Sequence, residues 1–106
     1  MKLEPPFLIA DSKLTNYLLV PLPKDDKSNY LGLAGYGMDN WPVLKQALLM
    51  LAHTGDATFE GSSVFGDSYS LVGSLIGPNG RSLRVKTIWM KENKTGFTKF
   101  ITLYPP

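Results

Sequence analysis

The 106-residue chain contains no cysteine, which removes disulfide frameworks, zinc ribbons, thiol nucleophiles and iron–sulfur sites from consideration. Its single histidine, His53, cannot supply an HExxH motif, a two-His-one-carboxylate site or a histidine acid/base pair. Transition-metal catalysis is therefore not expected, and neither is a metal or another cofactor. No apolar run approaches the ~18 residues of a membrane helix. The opening Met1-Lys2-Leu3-Glu4-Pro5-Pro6 does not read as a secretory leader, because an acid and two prolines interrupt what should be apolar. Repeats and low-complexity segments are absent as well. A cytoplasmic location without a membrane partner is the expectation, and oligomeric state is left open.

Present instead are 43% hydrophobic residues and twelve aromatics (5 Phe, 5 Tyr, 2 Trp), enough core material for one domain over 1–106. The net charge of +2 is a sum of unlike halves. Residues 1–80 carry 5 basic and 8 acidic groups, whereas residues 81–106 carry 6 basic groups and one acid. An anion site is best sought in the basic C-terminal segment.

The chain divides into a helical part over about 11–54 and a sheet part over about 57–104. Asp11 or Ser12 can cap a short helix in which Leu14, Tyr17 and Leu18 share one face, and Pro21 and Pro23 stop it. Lys24-Asp25-Asp26-Lys27-Ser28 leads into a second short helix through Tyr30, Leu31 and Ala34, with Gly35 as its C-cap. The longest helix begins at Asp39 or Asn40, has Pro42 in its first turn and runs through Trp41, Leu44, Ala47, Leu48 and Leu51 to Gly55.

Beyond Asp56 the period becomes two. Residues 57–60 form a short strand and 61–66 a loop, and strands follow over 68–76, 82–90 and 97–104. Gly77-Pro78-Asn79-Gly80-Arg81 has the composition of a three-residue hairpin loop with Gly80 left-handed. Pairing Gly77 with Arg81 puts Leu75, Leu71 and Tyr69 on one face with Leu83, Thr87 and Trp89. For the last hairpin, one parity places Ile101 and Leu103 with Val85 and Trp89, and leaves Thr102 and Tyr104 beside Lys86 and Arg84. The expected fold is α+β: N-terminal helices followed by a four-stranded antiparallel β-meander, in two layers.

One sheet face then bears Ser70, Ser74, Arg84, Lys86, Thr102 and Tyr104. Cations and hydroxyls on adjacent strands suit a phosphodiester, although a solvated sheet face shows the same alternation. His53, in the last turn of the long helix, reads as a cap. The doublet Asp25 and Asp26 reads as helix capping in preference to magnesium binding. Neither glycine-rich stretch has the lysine and long helix of a nucleotide loop. Trp41 and Trp89 face apolar stripes and read as core.

The order Leu14-Thr15-Asn16-Tyr17-Leu18-Leu19, Asp25-Asp26-Lys27-Ser28, Ala34-Gly35-Tyr36, Asp39-Asn40-Trp41, Gly77-Pro78-Asn79-Gly80, Val85-Lys86-Thr87-Ile88-Trp89 and Ile101-Thr102-Leu103-Tyr104-Pro105 resembles an uncharacterised bacterial domain family. That family is found stand-alone and as the C-terminal module of polymorphic toxins. The resemblance covers nearly the whole chain and implies kinship with the barnase, colicin-nuclease and RelE-like ribonuclease superfamily. Carried over by position, it marks Lys27, Lys86, Thr87 and Thr102. In many toxin-borne relatives the first motif resembles Gly-Gly-His-Lys, whereas this chain has Asp25-Asp26-Lys27 and no imidazole there.

The resemblance and the open face together lead to the expectation of a toxin-like, metal-independent endoribonuclease. Lys27, Lys86, Thr102 and Tyr104 form its catalytic set, and Arg84 and Thr87 bind substrate. Strand parity favours Lys86 and Thr102 over Thr87, which falls beneath the sheet. An ordinary lysine, with a pKa of about 10.4, is a poor base at neutral pH. Two alternatives stand beside this one: a non-catalytic protein-interaction module of the immunity or antitoxin kind, and a small RNA-binding domain. The expected partners are accordingly RNA or a cognate antitoxin or immunity protein.

Overall fold

The computed structural model describes residues 1–24 and 26–106. Along the chain come β1 (Phe7–Leu8), α1 (Asp11–Lys13) continued by a π-helical turn (Leu14–Leu18), and α2 (Ser28–Gly32). A 3-10 turn (Met38–Asn40) then leads into α3 (Trp41–Thr54), followed by β2 (Ala57–Ser62), β3 (Gly66–Ile76), β4 (Ser82–Glu92) and β5 (Thr98–Tyr104). The architecture is α+β as expected, but a strand, β1, precedes the helices. The meander, however, is part of a five-stranded mixed sheet in the order β1-β5-β4-β3-β2, not a four-stranded antiparallel one. The extra strand, β1, runs parallel to β5.

Two residues after a pair of prolines carry no readable period, so β1 is made by tertiary contacts alone. Thr98 donates its backbone N–H to the Pro6 carbonyl (3.0 Å) and its hydroxyl to the Glu4 carbonyl (2.6 Å). Farther back, Ala57 N–H bonds the Met1 carbonyl at 2.6 Å. Residues 1–9 thereby cross from β2 to β5 and bury Leu3 and Ile9 in the core.

The β3–β4 hairpin follows from its turn. Gly77 donates to Arg81 and Gly80 donates to Gly77, both at 2.9 Å, and Gly80 sits at φ +85°, a region open mainly to glycine. The resulting register, Leu75 opposite Leu83 and Leu71 opposite Thr87, is the one the sequence indicates. The β4–β5 register differs. A β-bulge between Ile88 and Trp89 makes Ile101 the extra residue, so that Thr102 faces Ile88 while Phe100 faces Trp89. Phe100 takes the core position expected for Ile101 and packs edge-on against Trp89, with centroids 5.3 Å apart.

On the helical layer, Leu44, Leu48 and Ala52 are the fully buried residues of α3, one stripe at four-residue spacing. They meet Leu71, Leu75, Val85, Trp89 and Leu103 in the same core. Trp41 is half-buried and packs against that core. His53 lies in the last turn of α3 and stacks edge-on against Phe7 (4.7 Å). α1 is tied to α3 by the Lys45–Asp11 ion pair at 2.7 Å.

Candidate functional site

The first helix does not continue as an ordinary α-helix. Leu19 N–H bonds the Leu14 carbonyl, five residues back, at 3.0 Å, and this widened turn changes which side chains share a face. Leu14, Leu18 and Leu19 are all buried, while Tyr17 is only half-buried. Its phenol oxygen lies 3.0 Å from Thr102 Oγ1 on β5. β1 pairs with β5 only at Thr98 and Lys99, so the edge of β5 beyond them is free to receive this side chain.

The next segment is anchored the same way. Asp26 accepts hydrogen bonds from the Ser28 backbone N–H (2.9 Å) and hydroxyl (2.7 Å), which hold its carboxyl below the usual range. These bonds close a turn just ahead of α2, whose N-cap is Lys27 with no side-chain cap, so Asp26 is not the helix cap expected, while Asp25 lies outside the described residues. From α2, Tyr30 donates its hydroxyl to the Arg84 carbonyl, a group on β4 beyond the last β5 partner, Tyr104 opposite Lys86. Between these two tyrosine anchors the chain carries Lys27, whose Nζ stands 5.7 Å from the Tyr17 ring centroid. Lys13 Nζ stands 5.8 Å from the same ring.

Lys86, on β4, projects to the same sheet face as Thr102 and Tyr104, with its Nζ 5.9 Å from the Tyr104 ring centroid. Thr102 and Tyr104 are two positions apart on β5 and hence about 7 Å from one another along the strand. Arg84 is exposed, with its guanidinium 3.5 Å from the Ser74 hydroxyl. Thr102, Lys86, Tyr104 and Arg84 therefore share one sheet face, and Tyr17 joins Lys27 to Thr102 at its edge. Thr87 does not join them. It is fully buried, donates its hydroxyl to the Leu71 carbonyl (2.9 Å) and accepts the Trp89 indole N–H (2.8 Å). Both functions of its hydroxyl are engaged in the core, so it does not share the open face on which substrate binding is expected. Ser70, expected on the open face, is also buried and donates to Glu60.

Tyr17 has its phenol pKa lowered. The hydrogen bond with Thr102 is the largest cause; burial works the other way, and hydrogen bonding and charge from Lys27 and the charge of Lys13 add to the lowering. A phenol so placed is chemically distinct from Tyr36, whose pKa burial raises. Sequence periodicity assigns Tyr17 to the apolar face with Leu14 and Leu18, and thus misses it. The readable signal was the four-residue spacing of Lys13 and Tyr17, which puts a cation beside a phenol on a helix.

The fold is that of an α+β protein whose helical segments reach β5 and β4 through Tyr17 and Tyr30. The chain belongs to the family described as a domain of unknown function (DUF6883), whose model matches residues 5–106. No curated protein and no solved structure matches it significantly.

Proposed function

We propose that the chain is a toxin-type, metal-independent endoribonuclease acting by attack of a ribose 2′-hydroxyl on the adjacent phosphorus. The observation that supports this reading is that one phenol, Tyr17, contacts both Lys27 and Thr102, with the Lys86–Tyr104 pair on the same sheet face as Thr102. Transesterification needs cations at the developing phosphorane, hydrogen-bond donors to orient it and a proton for the departing oxygen. Lys86 and Arg84 neutralise the non-bridging oxygens, Thr102 and Tyr104 orient the phosphate, and Lys27 donates a proton to the 5′-oxygen as it leaves. The products are a 2′,3′-cyclic phosphate and a 5′-hydroxyl, so no water is consumed in this step.

The test is tightly controlled expression of the wild type and of a Lys86→Ala/Thr102→Ala variant, followed by growth and RNA integrity. Growth arrest with fragmented RNA in the wild type, relieved in the variant, is the expected result. Intact RNA in both cultures overturns the proposal. A second reading, a protein-interaction module, draws support from Val72 and Ile76, which are 42% and 74% exposed on the Arg84 and Lys86 face. It predicts intact RNA in both cultures and a stable complex with an antitoxin-like partner.

A further inference from the structure

We propose that Tyr17 is the proton acceptor of this site, taking the 2′-hydroxyl proton as its phenolate while Thr102 holds the phenolate oxygen. The inference rests on the ribonuclease reading and supplies the base which that reading lacks, since the only imidazole, His53, stands in the last turn of α3, stacked on Phe7.

Three independent features of the geometry lead to it. First, the phenol oxygen has a hydroxyl partner, Thr102 Oγ1 at 3.0 Å, in which either atom can donate. The same Oγ1 lies 3.5 Å from its alternative acceptor, the Leu103 carbonyl. Thr102 can therefore accept from the neutral phenol, and donate to the phenolate by turning one proton. Second, ammonium groups from two separate segments, Lys13 on α1 and Lys27 before α2, lie over its ring at 5.8 and 5.7 Å. Opposite charges that close favour the ionised form of an acid.

Third, among the described residues, Asp26 and Asp11, the carboxylates nearest in sequence, are committed elsewhere. Asp26 accepts from Ser28, and Asp11 pairs with Lys45 of α3. From the sheet side the phenol is approached by Thr102, with Lys86 and Tyr104 beyond it on neighbouring positions. The groups named around the phenol are therefore cations and hydroxyls. The lowered phenol pKa, caused first by the Thr102 hydrogen bond and then by Lys27 and Lys13, agrees with that arrangement.

The step balances in protons and bonds. The phenolate removes the 2′-hydroxyl proton as the oxygen–phosphorus bond forms. The phosphorus–5′-oxygen bond breaks, and that oxygen takes a proton from the Lys27 ammonium. Proton exchange with solvent then restores phenolate and ammonium. No oxidant or other co-reactant enters.

The experiment compares wild type with Tyr17→Phe on a single-stranded ribo-oligonucleotide across pH, with the uncleavable 2′-deoxy oligonucleotide as a binding probe. The expected result is cleavage slowed about 100-fold or more, the usual worth of a general base, with binding of the 2′-deoxy probe unchanged. The wild-type rate should rise with pH to a plateau, and the variant should lose that dependence. Site-specific replacement of Tyr17 by 3-fluorotyrosine, which is more acidic yet nearly the same size, should shift the inflection to lower pH. It also decides the matter if Tyr17→Phe fails to fold. Cleavage by Tyr17→Phe at the wild-type rate, or an inflection that the fluorotyrosine does not move, overturns the role of Tyr17 and leaves the ribonuclease reading standing. A wild type that cleaves no RNA overturns both.

Discussion

Single side chains divide here into those that hold the core and those that face the site. Thr87 and Trp89 belong to the first group. The Trp89 indole, fully buried, has Thr87 Oγ1 as its acceptor at 2.8 Å. Thr87→Val keeps the shape and orphans the indole N–H, which should cost about 1–3 kcal/mol. Urea unfolding followed by tryptophan fluorescence measures it, and Thr87→Ser should recover most of the loss. RNA cleavage should be unaffected by Thr87→Ser, because the hydroxyl never reaches the surface. Asp26 gives a second case, at the rim of the site. Its carboxyl is held below the ordinary 3.8, first by the Ser28 hydroxyl and then by the Ser28 backbone. A depressed folded-state pKa contributes stability that is present above the ordinary value and is lost as pH falls through the lowered one. Ser28→Ala should raise the Asp26 pKa towards 3.8 in a carboxyl NMR titration and weaken that acid dependence. An unmoved pKa would mean that the Ser28 hydroxyl does not hold the carboxylate.

Among elements, the β3–β4 hairpin shows how a local signal becomes a tertiary joint. Asn79 donates its side-chain amide to the Leu33 carbonyl at 3.0 Å, so the turn docks against the end of α2. A Cβ added at Gly77 would lie 1.9 Å from the Ala34 carbonyl oxygen, whereas one at Gly80 meets nothing within 4 Å. Gly77→Ala should therefore destabilise by about 1–3 kcal/mol or more through overpacking. Gly80→Ala should cost about 1–2 kcal/mol through its left-handed backbone alone. Chemical denaturation of the two variants separates these costs, and equal values would mean that the docking is not tight. This hairpin was legible because turn chemistry and strand parity point to the same register. β1 was not, since two residues behind Pro5-Pro6 show no period and pair only with Thr98 and Lys99. The bulge at Ile101 was also hidden, because Phe100 and Ile101 are both apolar and parity cannot choose between them. Within the site, Lys86, Thr102 and Tyr104 were readable as one sheet face. Lys27 could be marked only by resemblance, since no pattern says where a loop lands. Tyr17 was concealed by the π-turn, which breaks the 3.6-residue rule used to assign its face.

At the scale of the whole molecule, the near-neutral total hides a directed field. Lys13 and Lys27 of the helical part stand against Tyr17, which bonds Thr102, and Arg84 and Lys86 of the basic C-terminal segment lie on the sheet face that bears Thr102, on a body 36 × 27 × 22 Å. A single-stranded nucleic acid held there displaces counterions in proportion to the phosphates it neutralises. For four contacts, log affinity should fall with log salt at a slope of about −3, at roughly 0.7 per single-strand phosphate. The measurement is fluorescence anisotropy of a labelled 2′-deoxy oligonucleotide between low and moderate salt. Lys27→Gln and Lys86→Gln should each make the slope shallower by about 0.7. Lys94, in the turn between β4 and β5, sits at the far end of the strand from Lys86, and Lys94→Gln should leave the slope unchanged although it removes the same charge. If all three substitutions change the slope equally, binding follows net charge and not this surface. If the slope is near zero, the face does not hold a phosphate backbone, and the protein-interaction reading gains the ground that the ribonuclease reading loses.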